Sequence, residues 1–306
     1  MKSSKEKSMP LPPVFIIGAG RSGTTLLYKM LCLHSDIAWI SNYCNKFPKY
    51  LFLSFINRIN HLFKSKCCSI WFSKNSNANV RHRNQLKRLF PAPVEGEIIY
   101  TLCGIPVFPD ESWNINKKQK KRIISSFERI KFYQRARVFI TKRTANNRRI
   151  AQLIKVFPNA KFIHIMRDGR AVAYSLLNVD WWDEHKVWWW NQKTPRQWKA
   201  EGNDPIEMAS RNWVEEINVI QNGLKFASDE QICEIRYEDL YIDYINVLEK
   251  IIRFIGLYRD DAWIETLKSL SIKNKNIIWK QKINKKEEII INNIQFETLK
   301  LLGYEQ

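Results

Sequence analysis

The stretch "FIIGAGRSGTTLL", Phe15 to Leu27, decides the fold. An apolar, β-branched run leads into glycines, small hydroxyl residues follow, and a helical apolar pattern takes over. That order spells strand, glycine-rich turn and helix, the local plan of a phosphate-binding loop. The nucleoside-triphosphate version reads G-x-x-x-x-G-K-[ST], with a lysine that reaches the β- and γ-phosphates. Here the spacing holds from Gly18 to Gly23, but Thr24 stands at the lysine position. The cation of the loop is Arg21, three residues earlier. The ligand must be one that needs the cradle and takes its positive charge there.

Outward from the loop, Val14–Ile17 is four apolar residues in a row, which suits a parallel strand covered on both faces. Thr24–Leu33 reads as the helix that follows. Further strands are predicted at Val138–Thr141, Lys161–Met166 and Ile232–Arg236. Helices are predicted at Ile150–Phe157, Arg170–Leu177, Pro205–Ala227, Ile242–Ile255 and Glu287–Leu302. Strands alternating with helices predict an α/β fold, one P-loop-type domain with a central parallel sheet flanked by helices. Its site belongs at the carboxyl ends of the strands, beside Gly18–Gly23. Residues 1–13 read as a flexible tail and 14–306 as the domain. Residues 43–135 read as a mainly helical variable insertion on the acceptor side. Within it, Lys49–Phe72 is apolar with basic punctuation. It reads as one or two core helices, with an interfacial, membrane-contacting helix as the second reading.

The chain has 306 residues, 45% hydrophobic and 26% charged, which predicts a packed core rather than disorder. A net charge of +20 has two readings, many solvated lysines or an acidic partner, and bulk charge does not choose among nucleic acid, an anionic membrane face, an anionic glycan and a polyphosphorylated cofactor. The six cysteines form no C-x-x-C and no zinc-spaced Cys/His cluster, so no metal site is expected, and scattered thiols fit a reducing cytoplasm. No apolar stretch reaches membrane-spanning length. The expected location is cytoplasmic, with peripheral contact at the inner membrane face as a variant. The oligomeric state is not readable.

The stretch "AKFIHIMRDGRAVAYSLL", Ala160 to Leu177, repeats the logic of the first loop. A buried strand ends in Arg167-Asp168-Gly169-Arg170, and a helix begins at once. Helix N-termini offer unpaired N–H groups and a positive dipole end, which suits phosphate. Ser175 lies eight residues after Arg167. Two such turns in one sheet, each with an arginine, point to a ligand with two separated phosphates. A donor with a 5′-phosphate, a 3′-phosphate and a transferable group on the 5′ side meets that description, with Arg21 on the first side and Arg167 with Ser175 on the second.

The Arg-Ser-Gly-Thr-Thr loop, the block "FPNAKFIHIMRDGRAVAYSL", the block "IRYEDL" (Ile235–Leu240) and the closing "LLGY" (Leu301–Tyr304) resemble the sulfotransferases that use 3′-phosphoadenosine 5′-phosphosulfate (PAPS). The likeness is to the bacterial and tyrosylprotein-type branch and covers roughly residues 14–42 and 138–304. It implies that PAPS is the donor, with no metal. It implies that Arg21 stabilises charge on the leaving 5′-phosphate and the moving sulfuryl group. It implies that Gly20, Ser22, Gly23, Thr24 and Thr25 hold the 5′-phosphosulfate, and that Arg167 and Ser175 bind the 3′-phosphate. Tyr237 is implied near the nucleotide, and Lys280 or Lys282 in a basic loop closing over it.

The tyrosylprotein-type branch implies a glutamate about twenty residues after Arg21, but Trp39–Tyr43 holds no carboxylate. The general base is expected at Glu95, then Glu97, in "PAPVEGEIIY". His34 reads as structural. The tryptophans Trp181, Trp182, Trp188, Trp189, Trp190, Trp198 and Trp213 read mostly as packing, with stacking on a sugar ring as the second reading. The activity this implies is in-line, metal-independent sulfuryl transfer to a hydroxyl or amine of a carbohydrate-like or lipid-linked acceptor, a glycan or glycolipid. Two rivals stand beside it: a P-loop kinase of a small molecule, opposed by Thr24, and a basic nucleic-acid-binding protein, which rests on the +20 charge alone and has no helix-turn-helix, RNA-recognition or zinc-finger signature.

Overall fold

The computed structural model describes residues 11–72, 90–110, 112–270, 272 and 276–304. Five strands form its sheet: β1 Val14–Ile17, β2 Ile37–Ala38, β3 Val138–Lys142, β4 Lys161–Met166 and β5 Ile232–Arg236. Their order is β2-β3-β1-β4-β5, and every pairing is parallel. The first phosphate-type loop therefore leaves the central strand.

The apolar run of β1 is buried because helices cover both of its faces. Val14 and Ile16 enter a core with Leu27, Leu31, Ile251 and Ile255. Phe15 and Ile17 point the other way, into a core with Phe127, Phe139 and Leu153. Phe15 stacks on Phe162 with ring centroids 5.6 Å apart, and truncating it to alanine would cost about 3–5 kcal/mol. A third core, with Val172, Leu176, Trp213, Ile291 and Leu299, lies under the helix that follows β4. That helix packs closely at its start: a Cβ on Gly169 would stand 2.5 Å from Trp213 Cε3.

Strand register decides what shares the site. Ile16 lies opposite Lys142, Ile17 opposite His164, and Met166 opposite Arg236. The residues just beyond the strands, Gly18, Arg143, Arg167 and Tyr237, therefore emerge side by side along one edge of the sheet.

Most element boundaries lie within a few residues of those predicted, and capping explains the shifts. The helix expected from Ile242 starts at Tyr244, because the Asp243 side chain accepts from Asn246 N. The last helix, Lys285–Leu301, starts early on a capping box between Asn284 and Glu287. Lys49–Phe72 departs from the expected core helices. It forms a 3₁₀ helix, Leu51–Arg58, and two short α-helices, Ile59–Leu62 and Lys64–Trp71. Leu51, Ser54, Asn57 and Asn60 turn inward, while Phe52, Phe55, Ile59 and Leu62 face solvent. Residues 1–10 of the expected tail lie outside the described residues.

Candidate active site

A cavity of about 670 Å³ opens at the carboxyl edge of the sheet, lined by the Gly20–Leu26 loop, the residues after β3 and β4, and the Trp181–His185 turn. The loop reaches it through Gly23, which caps the Thr24–Leu31 helix at φ +90°. A Cβ there would lie 2.4 Å from Tyr237 Cδ2, so glycine lets the tyrosine ring pack on the loop. No side chain caps this helix, and its first turn holds no acidic residue. Its first N–H groups and positive dipole end are thus left for an anion. Ser22 is fully buried, and its Oγ has no hydrogen-bond partner among the described residues.

The second turn differs from the expected free helix N-terminus. Asp168 caps the Gly169–Leu177 helix, Oδ1 accepting from Arg170 N at 2.9 Å, and its carboxylate also pairs with the Arg170 guanidinium. Glu238 Oε1 accepts from Asp168 N at 3.3 Å. This turn presents side chains to the cavity instead. Arg167 is buried with its guanidinium 4.5 Å over the Tyr237 ring. Arg167 Nη1 donates to Arg21 O at 2.8 Å, and Nε donates to Asn276 Oδ1 at 2.9 Å. Arg21, at φ +70°, donates from Nε to Ser175 Oγ at 3.0 Å. Arg21, Arg167, Ser175 and Tyr237 thus form one connected group rather than two distant ones. Desolvation in the cleft and then the Arg167 charge lower the Arg21 pKa, and desolvation lowers that of Arg167.

The two expected base residues part company. Glu95 lines the cavity and pairs with Lys142 and Arg143, the residues that end and follow β3. Desolvation raises its pKa, but the two cations outweigh it and hold the carboxylate at about 2. Glu97 is instead a tie between segments: it accepts from Arg143 Nε at 2.6 Å and from buried Arg149 Nη2 at 2.7 Å. Lys280 is exposed, 5.8 Å from the Trp279 ring centroid, and this segment reaches the cavity through Ile278 and the Arg167 site through Asn276. His34 is buried, with Nε2 3.1 Å from Tyr258 O and its ring against Trp263, in a packing role.

Among the tryptophans, Trp213 is buried core, Trp189 bonds Asn212 and Trp198 bonds Asp204 O. Trp181 is 48% exposed and lines the cavity.

Four further residues support the site without belonging to a motif. Asn147 braces the loop, accepting from Gly18 N at 3.2 Å and donating to Gly18 O at 3.0 Å and to Glu216 Oε2 at 2.6 Å. Glu216 is buried and also accepts from Trp188 Nε1 at 2.8 Å. His185 lines the cavity, stacked on Trp182, and desolvation with the Arg148 and Arg143 charges brings it to about 4. Asn276 holds Arg167. Asn147 has a local signal, the Ala145-Asn146-Asn147 run in the short helical turn that follows β3.

A family model described as "Sulfotransferase family" matches residues 12–261. The chain is 24% identical over 278 residues to omega-hydroxy-beta-dihydromenaquinone-9 sulfotransferase Stf3 of Mycobacterium bovis and of Mycobacterium tuberculosis, covering 84% of this chain and 66% of theirs. The chain thus spans about two thirds of the length of these curated relatives. The fold is similar to sulfotransferase STF1 from Mycobacterium tuberculosis, with a TM-score of 0.57 at 13% identity over 93% of this chain and 77% of that one. It is also similar to STF9 from Mycobacterium avium, at 0.54 and 15% over 95% and 76%.

Proposed function

The chain belongs to the sulfotransferase family, and from that premise we propose that it transfers a sulfuryl group from PAPS, in line and without a metal, to a hydroxyl or amine. One observation carries the reading. Two arginines from separate strand-to-helix turns meet at one cavity, Arg167 Nη1 on Arg21 O and Arg21 Nε on Ser175. A donor with phosphates at both ends of one ribose fits that pair and the uncapped Thr24–Leu31 helix.

In the transfer, the bond between sulfur and the bridging oxygen breaks as the bond from the acceptor oxygen or nitrogen to sulfur forms. The departing group is adenosine 3′,5′-bisphosphate, and Arg21 stabilises the charge that builds on its 5′-phosphate. Arg167 and Ser175 hold the 3′-phosphate, while Gly20, Gly23, Thr24, Thr25 and Tyr237 shape the 5′ side. The acceptor proton goes to Glu95, a carboxylate in the cavity whose side chain is 37% exposed. Lys142 and Arg143 hold its pKa at about 2, so it is ionised but weakly basic and takes the proton only as the forming bond to sulfur acidifies the acceptor.

The acceptor is carbohydrate-like or lipid-linked. Exposed Trp181 offers an aromatic face in the cavity, and the menaquinone sulfotransferases among the relatives favour the lipid side. The kinase reading loses support, because Asp168, the carboxylate after β4, is engaged by Arg170. Incubation with sulfur-labelled PAPS and separate bacterial glycolipid, isoprenoid-lipid and polysaccharide fractions tests the proposal. Label should enter one fraction, and label entering none would defeat it.

A further inference from the structure

The Leu51–Leu62 stretch is amphipathic in the reverse sense. In a 3₁₀ helix residues three apart share a row. The row Leu51, Ser54, Asn57 faces the protein, and the row Phe52, Phe55, Arg58 faces out. The next turn continues the inversion: Asn60 is buried, Ile59 and Leu62 are exposed, and Leu62 is 79% exposed. The buried amides are placed deliberately by their partners. Asn57 Nδ2 donates to Trp39 O at 3.1 Å, and Asn60 Oδ1 accepts from Cys67 Sγ at 3.0 Å. A stretch that spends its polar side chains inward and its aromatic ones outward has an apolar medium as its outer partner.

Charge says which medium. Between Asp36 and Glu95 the sequence holds ten lysines and arginines and no acidic residue. Lys46, Lys49, Arg58 and Lys66 are exposed along the apolar rows, while Lys64 is taken by Asp260. The Lys117–Gln134 helix packs against the 3₁₀ helix, and it carries seven cations against one carboxylate, Glu128. A second copy of the chain would set this basic stretch against itself, which like charge opposes. From this arrangement we infer that Phe47–Leu62 docks on an anionic lipid bilayer, the aromatic side chains entering the headgroup boundary and the cations meeting the lipid phosphates. The inference rests on the surface alone and not on the transfer reaction.

Vesicle co-sedimentation tests it, with phosphatidylcholine vesicles and with vesicles of about one third phosphatidylglycerol. The wild type should partition onto the anionic vesicles and stay in solution with the neutral ones. Phe52→Ser/Phe55→Ser should lower the bound fraction about tenfold or more, and Lys46→Glu/Lys49→Glu should weaken binding in a salt-sensitive way. All four positions are exposed, and near-ultraviolet circular dichroism with adenosine 3′,5′-bisphosphate binding will confirm that each variant is folded. Equal binding to both vesicle types, or unchanged binding by the phenylalanine variant, would overturn the inference. So would a wild-type dimer that the phenylalanine variant converts to monomer in sedimentation velocity, since the face would then belong to a second copy.

Discussion

Arg21 and Arg167 touch each other, yet on the proposed mechanism they do different work, and alanine substitution should separate them. Arg167 meets a phosphate that does not change during the reaction, so its contact is nearly uniform between ground and transition state. Losing a hydrogen bond to a charged group costs about 1.5–3 kcal/mol, which predicts a KM for PAPS raised roughly tenfold to a hundredfold, with kcat little changed. Arg21 faces the oxygen on which charge builds. Losing one preorganised donor of that kind costs about 2.7–4 kcal/mol, a fall in kcat of roughly a hundredfold to a thousandfold. The structure adds a third variant. Arg21 Nε donates to Ser175 Oγ at 3.0 Å, which leaves its Nη donors for the leaving group, while Ser175 is assigned to the unchanging 3′-phosphate. Ser175→Ala should therefore weaken donor binding without lowering kcat. The assay is initial-rate kinetics against PAPS with an acceptor fraction that takes the label, beside calorimetry with adenosine 3′,5′-bisphosphate. Arg167 is buried and bonds Arg21 O and Asn276, so thermal unfolding must accompany its KM. If Arg21→Ala raises KM and leaves kcat intact, Arg21 is a binding residue and the division of labour is wrong.

Adenosine 3′,5′-bisphosphate should bind far more tightly than AMP, and equal calorimetric affinities would remove the second phosphate site. Activity should persist in excess EDTA; a loss restored by Mg²⁺ would return the kinase reading. Glu95→Gln should lower kcat and leave nucleotide affinity unchanged. A base must be deprotonated to act, so activity falls as pH drops through its pKa; at about 2 for Glu95, the profile should stay flat down to the acid unfolding of the protein. A limb near the value of about 4 held by His185, abolished in His185→Asn, would transfer the role to that residue. Gly23→Ala, at φ +90° and 2.4 Å from Tyr237, should lose about 1–3 kcal/mol of stability in a denaturant titration. Gly20→Ala meets no atom within 4 Å, so its unfolding midpoint should stay put while its KM for PAPS rises.

What was legible in the sequence is what is local. Four apolar residues ahead of glycines announce β1 and its loop, and "KFIHIM" ahead of Arg167 announces β4, since strand, turn and helix start lie within about a dozen residues. Ser175 is legible on the helix that follows, eight residues after Arg167, although its contact with Arg21 is not. β2 has two residues, too few for any periodicity. The supports of the site were hidden for a different reason. Asn147 and Glu216 come from separate elements and meet under Gly18 only because β3 lies beside β1. Lys142 and Arg143 stand in plain view at the end of a strand, but their hold on Glu95 spans 47 and 48 residues. The basic segment after residue 270 was read by charge, yet it meets Arg167 through the amide Asn276. Within Lys49–Phe72 composition predicts burial, which holds for Leu51, Cys67, Cys68 and Trp71, whereas the fold turns Asn57 and Asn60 in and Phe52 and Phe55 out.

Position 24 shows why the cation has moved. Thr24 is 5% exposed, and its Cγ2 lies 3.1 Å from where a Gly18 Cβ would stand, so the side chain packs beneath the loop. The positive charge sits instead at the loop tip, on a residue in the left-handed conformation that costs a non-glycine about 1–2 kcal/mol. That backbone turns Arg21 toward the helix after β4 and turns its carbonyl toward Arg167, which bonds it. Two guanidiniums are thereby brought together, Arg21 bonded to a neutral hydroxyl, and the Arg167 charge lowers the Arg21 pKa. A triphosphate chain at the start of the Thr24–Leu31 helix would find backbone N–H groups there but no lysine at position 24, and Lys29 in the last turn is bonded to Trp71 O. An anion placed between this helix and Ser175 would instead relieve the repulsion between the arginines, as a nucleotide phosphorylated on both the 3′ and 5′ oxygens would. The strain in the loop and the crowding of its charges thus support the proposed donor, PAPS, whose 5′-phosphate carries the sulfuryl group.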